Sequence, residues 1–169
     1  VIKPFWSPFV DIIRTKRWWV LTMQWTIGIA MAAIAFTLPA SGFFQATLAV
    51  FWLMAFASAT HDIAADGYYM LALTEHRQSM FVGIRSLFYR ISMVIGQGAL
   101  VIVAAHVSEA WADPKAGWIL VFAILALFFA GIAIYHGAIL PRPASDTFRS
   151  PRSGSEVFRE FTETFIEFF

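Results

Sequence analysis

Four long apolar segments set the periodicity of the chain. Residues 18–38 run 21 positions without a charge, enough for a helix to cross an apolar layer about 30 Å thick. Residues 43–73 form a second such segment, 31 positions long, which overshoots that layer and is expected to carry its last turns into the headgroup region. Residues 79–107 and 117–140 complete the set. The connections are short: an uncharged turn at 39–42, a polar turn around Glu75, His76 and Arg77, and a polar loop from His106 to Lys115 that holds Glu109, Asp113 and Pro114. Residues 1–11 are apolar but broken by Pro4 and Pro8, the pattern of a helix end entering a turn. Residues 141–155 are rich in Pro, Ser and Arg and lack periodicity, which reads as a flexible linker. Residues 156–169 space Phe158, Phe161, Phe165 and Phe168 helically, with Arg159, Glu160, Glu163 and Glu167 between them. That is an amphipathic helix, at the interface or leading into another span.

Composition turns this pattern into a class. The 169 residues are 59% hydrophobic and 14% charged, with a mean hydropathy of +0.68, too little polar surface for a soluble domain. The expected fold is all-α and integral to a lipid bilayer. A net charge of +1 without a basic, aromatic-interleaved stripe gives no sign of nucleic acid as a partner. Zero cysteines exclude disulfides and thiolate metal sites. The chain starts at Val1 without a leader pattern and stops in mid-pattern at Phe169, so a piece of a longer protein is expected. Arg14, Lys16 and Arg17, then Arg77, then Arg142, Arg149 and Arg152 fall on one side of the four spans, and only Lys115 on the other. By the positive-inside rule the basic side is the cytoplasm. Trp18 and Trp19 stand at that end of the first span as interfacial anchors, while Gly28, Ala32 and Ala33 offer close helix approach.

The candidate chemistry lies in charges inside the apolar segments, where they are costly unless paired or wet. Asp62 and Asp66 end the second segment; Arg85 and Arg90 begin the third. If the two fold back about His76, Asp62 and Arg90 are each fourteen residues from the turn, and Asp66 and Arg85 ten and nine. At a rise of about 1.5 Å per residue, each acid then meets a base near its own depth. Ser58, Asp62, Asp66 and Tyr69 make one polar stripe, and Gly83, Ser86, Arg90 and Gln97 another, as expected of two helices lining a shared wet interior. Arg85 instead shares a face with Tyr89, Ser92 and Gly96. An Asp62–Arg90 ion pair that only fixes helix register is the competing reading, with Asp66 and Arg85 merely near headgroups. His61 can relay protons beside Asp62 or simply hydrogen-bond a neighbour, and His136 reads as interfacial. Asp62, Asp66 and His61 have no convincing further ligands, so no metal and no cofactor are expected.

Two phrases carry a family likeness: K-P-F-W-S-P-F-V-D-I-I-R-T-K-R-W-W-V-L at 3–21 and F-A-S-A-T-H-D-I-A-A-D-G-Y at 56–68, joined by the Tyr89-Arg90 pair. With them the chain resembles the major facilitator superfamily, and within it the branch of AmpG-type muropeptide permeases and acetyl-CoA transporters. The resemblance spans nearly the whole chain, although His61 stands where many AmpG-type members carry Gln and the usual glycines of the 2–3 loop are absent. It implies part of the N-terminal six-helix half of a twelve-helix transporter. Residues 1–140 would run from the end of helix 2 through helix 6, residues 141–155 would be the central cytoplasmic linker, and residues 156–169 would lead towards helix 7. Asp11, Arg14, Lys16 and Arg17 would form the gating loop. The implied activity is proton-coupled uptake of an amphiphilic solute such as a muropeptide by alternating access, in a bacterial inner membrane. Asp62, Asp66, His61, Arg90 and Gln97 would hold substrate or the coupled proton. The partners would be the lipid bilayer, the solute, protons and the remaining helices of the same protein. A membrane-embedded enzyme using His61 and Asp62, or a membrane sensor or interaction module, is the alternative.

Overall fold

The computed structural model describes residues 10, 13–147, 155, 158, 159, 162 and 166. Among them the chain is helical and has no strand. Four helices are long and apolar enough to cross a membrane: α1, Lys16–Thr37; α2, Phe43–Ala72; α3, Glu75–Ala110; and α4, Ala116–Ile139. Asp11 and most of the amphipathic segment at 156–169 lie outside the described residues.

The helix starts have local causes. Thr15 caps α1, its hydroxyl accepting from the Trp18 amide at 3.2 Å, which satisfies one of the first-turn donors. Between α2 and α3 the sequence predicts a polar turn around His76, but Glu75, His76 and Arg77 already form the first turn of α3. Glu75 is favourably placed at the positive end of the helix dipole. The connection is therefore only Leu73 and Thr74. One stretch of α3, Ile95–Ala99, is a π-helical turn with sequence IGQGA, where the regular hydrogen-bond ladder is interrupted.

Packing is uneven. α1 lies between α2 and α4. Against it α2 turns Ala57, Thr60, Ala64 and Tyr68, a mostly small-residue stripe at 3-4-4 spacing that admits close backbones. Gly28 plays the same part towards α4, where an added Cβ would come within 3.3 Å of Phe129 Cβ. The first half of α3, by contrast, buries no residue, and it meets α2 only sparingly. Its far end returns to α4 at Gly117, where an added Cβ would fall 1.8 Å from the Ala104 carbonyl oxygen. Only glycine fits there. Ser108 fastens the same hairpin, its hydroxyl donating to the Pro114 carbonyl at 3.2 Å and accepting from the Gly117 amide at 3.1 Å.

Candidate functional site

Three polar features stand towards the basic end of the bundle. The first gathers the start of α1, the end of α4 and the stretch after it. Asp146 accepts from the Lys16 amide at 2.7 Å and from the Arg17 amide at 3.0 Å. A carboxylate there meets the positive end of the α1 dipole and two otherwise unsatisfied amides. Arg17 reaches the other way: Nε donates to the Leu140 carbonyl at 3.1 Å and Nη2 to the Gly137 carbonyl at 2.7 Å. Those carbonyls end α4, where a cation is favoured. Tyr68 of α2 donates its hydroxyl to the Pro141 carbonyl at 2.8 Å. Lys16 lies over Gly67, filling the space a methyl group would need. Arg14 stands 5.9 Å from the Trp18 ring centroid. Lys16 and Arg17, two residues of the expected loop cluster, thus help tie three helices together.

This knot also corrects the reading of 141–155 as a flexible linker, so far as residues 141–147 are concerned. Asp146 and Pro141 hold that stretch against α1 and α2. Asp146 lies 130 positions from Lys16, and no local pattern marks it as a cap for α1.

The second feature joins α2 to α3. Arg85 Nη2 lies 2.6 Å from Asp66 Oδ1, in an ion pair whose side chains are 54% and 43% exposed. The guanidinium also stands 5.4 Å from the Tyr69 ring centroid, and the Tyr69 hydroxyl donates to the Gln78 carbonyl. Gln78 in turn donates to the Leu73 carbonyl at 2.9 Å. The expected partnership of Asp62 with Arg90 is not formed. Arg90 sits on an exposed face of α3, and among the described residues the ion pair that links these helices is Asp66–Arg85. The reason is geometric. Matching depths requires the helices to stay side by side, and α3 buries nothing against α2 beyond its first turns. Gln97 lies in the π-helical turn and is exposed as well.

The third feature is a cavity of about 420 Å³ between α1, α2 and α4, with Arg85 of α3 at its edge. Gln24 of α1, only 4% exposed, lies with its two amide atoms 2.8 and 3.1 Å from His136 Nδ1, so the pair can form with either imidazole tautomer. His136 is therefore a packed partner of Gln24 rather than a free interfacial side chain. His61 lines the same cavity, with Nε2 buried and without a hydrogen-bond partner among the described residues. Gln24 is legible in the sequence as a polar member of an uncharged span, together with Thr22 and Thr26, but the sequence assigns it no role. Among the described residues no cluster of three or more His, Cys, Asp or Glu is arranged to hold a metal ion.

Comparison with known proteins bears on the whole chain. The model of the family described as Major Facilitator Superfamily matches residues 1–167. Anhydromuropeptide permeases from Escherichia coli strain K12 and from Escherichia coli O157:H7 are each 29% identical to the chain over 131 residues, 74% of this chain and 26% of theirs. The chain thus spans about a quarter of the length of these relatives. No solved structure matches significantly.

Proposed function

Since the chain belongs to the Major Facilitator Superfamily, and so to the integral membrane proteins, we propose that it works as part of a proton-coupled secondary transporter. The solute is an amphiphile of the muropeptide class, as the names of its relatives suggest, and the basic end of the bundle faces the cytoplasm of a bacterial inner membrane. The observation that carries this reading is the ionisable set on the α2–α3 face: the Asp66–Arg85 pair, half exposed, with Asp62 one turn deeper on α2 and Arg90 further along α3. A charged set retained within apolar helices and open to water suits proton uptake and release.

In this mechanism a proton entering on Asp62 or Asp66 weakens their hold on nearby bases and frees α3 to shift. Arg90 and Gln97, exposed on α3, bind the anionic or amide groups of the solute. The knot of Arg17, Asp146 and Tyr68 keeps α1, α2 and α4 moving as one body, with Arg14 and Lys16 beside it at the start of α1. Alternating access would then arise as this body rocks against the remaining helices of the transporter. Membership of a transporter family, with a relative named as a permease, weighs against the enzyme and sensor alternatives.

The test is accumulation of an anhydromuropeptide by the full-length protein in proteoliposomes under an imposed proton gradient. Gradient-driven accumulation is expected, and Asp62→Asn and Arg90→Gln should each abolish it. The double variant should still equilibrate solute passively but should show no uphill uptake. Full gradient-driven uptake by the double variant would reduce these residues to a structural role. Exchange of solute without any effect of the gradient would remove the proton from the mechanism.

A further inference from the structure

The cavity between α1, α2 and α4 has the dimensions and chemistry of a ligand site. Its volume of about 420 Å³ falls within the range of about 300–1,000 Å³ typical of small-molecule pockets, which pair an apolar wall with a few placed polar groups. Here the wall includes Val20, Ala65, Ala72 and Leu140. The polar groups are the Gln24–His136 pair and the buried Nε2 of His61, which has no hydrogen-bond partner among the described residues.

Water alone fits this space poorly. The space is open on one side, so water can enter, but its wall is mainly apolar and offers that water few partners. Most of the other polar atoms of the wall are already engaged. The Tyr68 hydroxyl donates to Pro141, that of Tyr69 donates to Gln78, and Arg85 pairs with Asp66. The same commitments argue against a charged occupant, since an ion among apolar walls needs a counter-charge and Arg85 already has one. A neutral body that is mostly apolar, carrying a head that both donates and accepts, satisfies every surface.

We propose that this cavity binds a neutral amphiphile, an alcohol or amide with its head on His61, Gln24 and His136 and its apolar body along Val20, Ala65 and Leu140. This goes beyond the transport reading, because Arg90 and Gln97, the residues assigned there to the solute, do not line the cavity. Entry of such a ligand would brace the underside of the knot, since Tyr68, Leu140 and Pro141 belong to both.

The experiment uses the full-length protein in lipid nanodiscs and a diazirine-bearing octanol as photolabel, with labelled residues located by peptide mass spectrometry. Labelling should be saturable, should concentrate on residues 61–73 and 136–141, and should be displaced by unlabelled octanol. His61→Leu should raise the half-saturating concentration about five-fold, the loss of one hydrogen bond, and Ala65→Phe should abolish saturable labelling by filling the space. If Ala65→Phe does not assemble, Ala72→Leu narrows the same cavity and carries the same expectation. Labelling that rises linearly with probe and equals that of the exposed Leu127 on α4 would overturn the proposal. So would saturable labelling unchanged by the filling variants. Loss of transport in any variant does not enter this readout, so the site and the transport reading stand or fall separately.

Discussion

The knot at the basic end and the middle of α3 belong to one bundle and are held by opposite means. At the knot, Asp146 and Arg17 bind the backbone ends of α1 and α4 through four directional bonds of 2.7–3.1 Å, and Tyr68 adds a fifth from α2. α3 is instead fastened near its two ends. Asp66–Arg85 holds the start, and the glycine contact at Ala104–Gly117 holds the finish. Between them lie exposed side chains and a π-helical turn with two glycines. Helix ends satisfied by charged side chains fix the relative placement of whole helices, whereas a helix pinned at its ends can bend where its ladder is broken. In the proposed mechanism the contrast separates a part that transmits motion from a part that makes it.

Breaking the knot should have the largest effect on stability. Arg17→Met removes two charge-assisted bonds and leaves the last carbonyls of α4 without their cation, a loss of about 2–3 kcal/mol, read as earlier thermal unfolding of the purified protein. A variant as stable as the parent would show that water replaces Arg17 and that the knot is incidental. Gly117→Ala comes next. It forces α3 away from α4 at Ala104 and should cost about 1–3 kcal/mol, as overpacking does; Ser in place of Gly117 should be no better. If Gly117→Ala is neutral, the far pin of α3 is looser than this packing implies.

Asp146→Asn keeps the shape of the α1 cap but removes its charge and one of its two accepting oxygens, and should cost about 1–2 kcal/mol. Adding salt to the parent should reproduce only part of that loss. The smallest effect on stability is expected at the α2–α3 link. Asp66→Asn combined with Arg85→Gln removes an exposed pair worth about 0–1 kcal/mol, so unfolding should shift little while gradient-driven uptake falls. A large loss of stability there would make Asp66–Arg85 a structural brace instead.

How much of this was legible in the sequence follows the range of the interactions. The spans came from long, predominantly apolar runs, a local property. Depth measured from a turn also brought Asp66 opposite Arg85, because both lie within three turns of the connection. The same arithmetic failed for Asp62 and Arg90, since it assumes that α3 stays beside α2. Whether it does depends on packing surfaces that no charge pattern encodes. The helical first turn at Glu75–Arg77 was hidden by its polarity, which suits a loop and a helix start equally. Asp146 was the least visible residue: in a Pro- and Ser-rich stretch nothing local distinguishes a cap for a helix that begins 130 positions earlier. Gln24, His61 and His136 were each visible as polar residues in apolar spans, but only the fold reveals that they face one cavity.

The difference between a fixed knot and a moving α3 can be measured by pulsed electron spin resonance on the full-length protein in proteoliposomes. One pair of spin labels replaces Trp18 and Ile139, exposed on α1 and α4 at the knot, and a second replaces Met70 and Leu87, exposed on α2 and α3. On lowering the pH or adding solute, the first pair should keep one narrow distance distribution. The second should change its mean or split into two populations. Equal shifts in both pairs, or a Met70–Leu87 distance that stays fixed under conditions that drive uptake, would contradict the account.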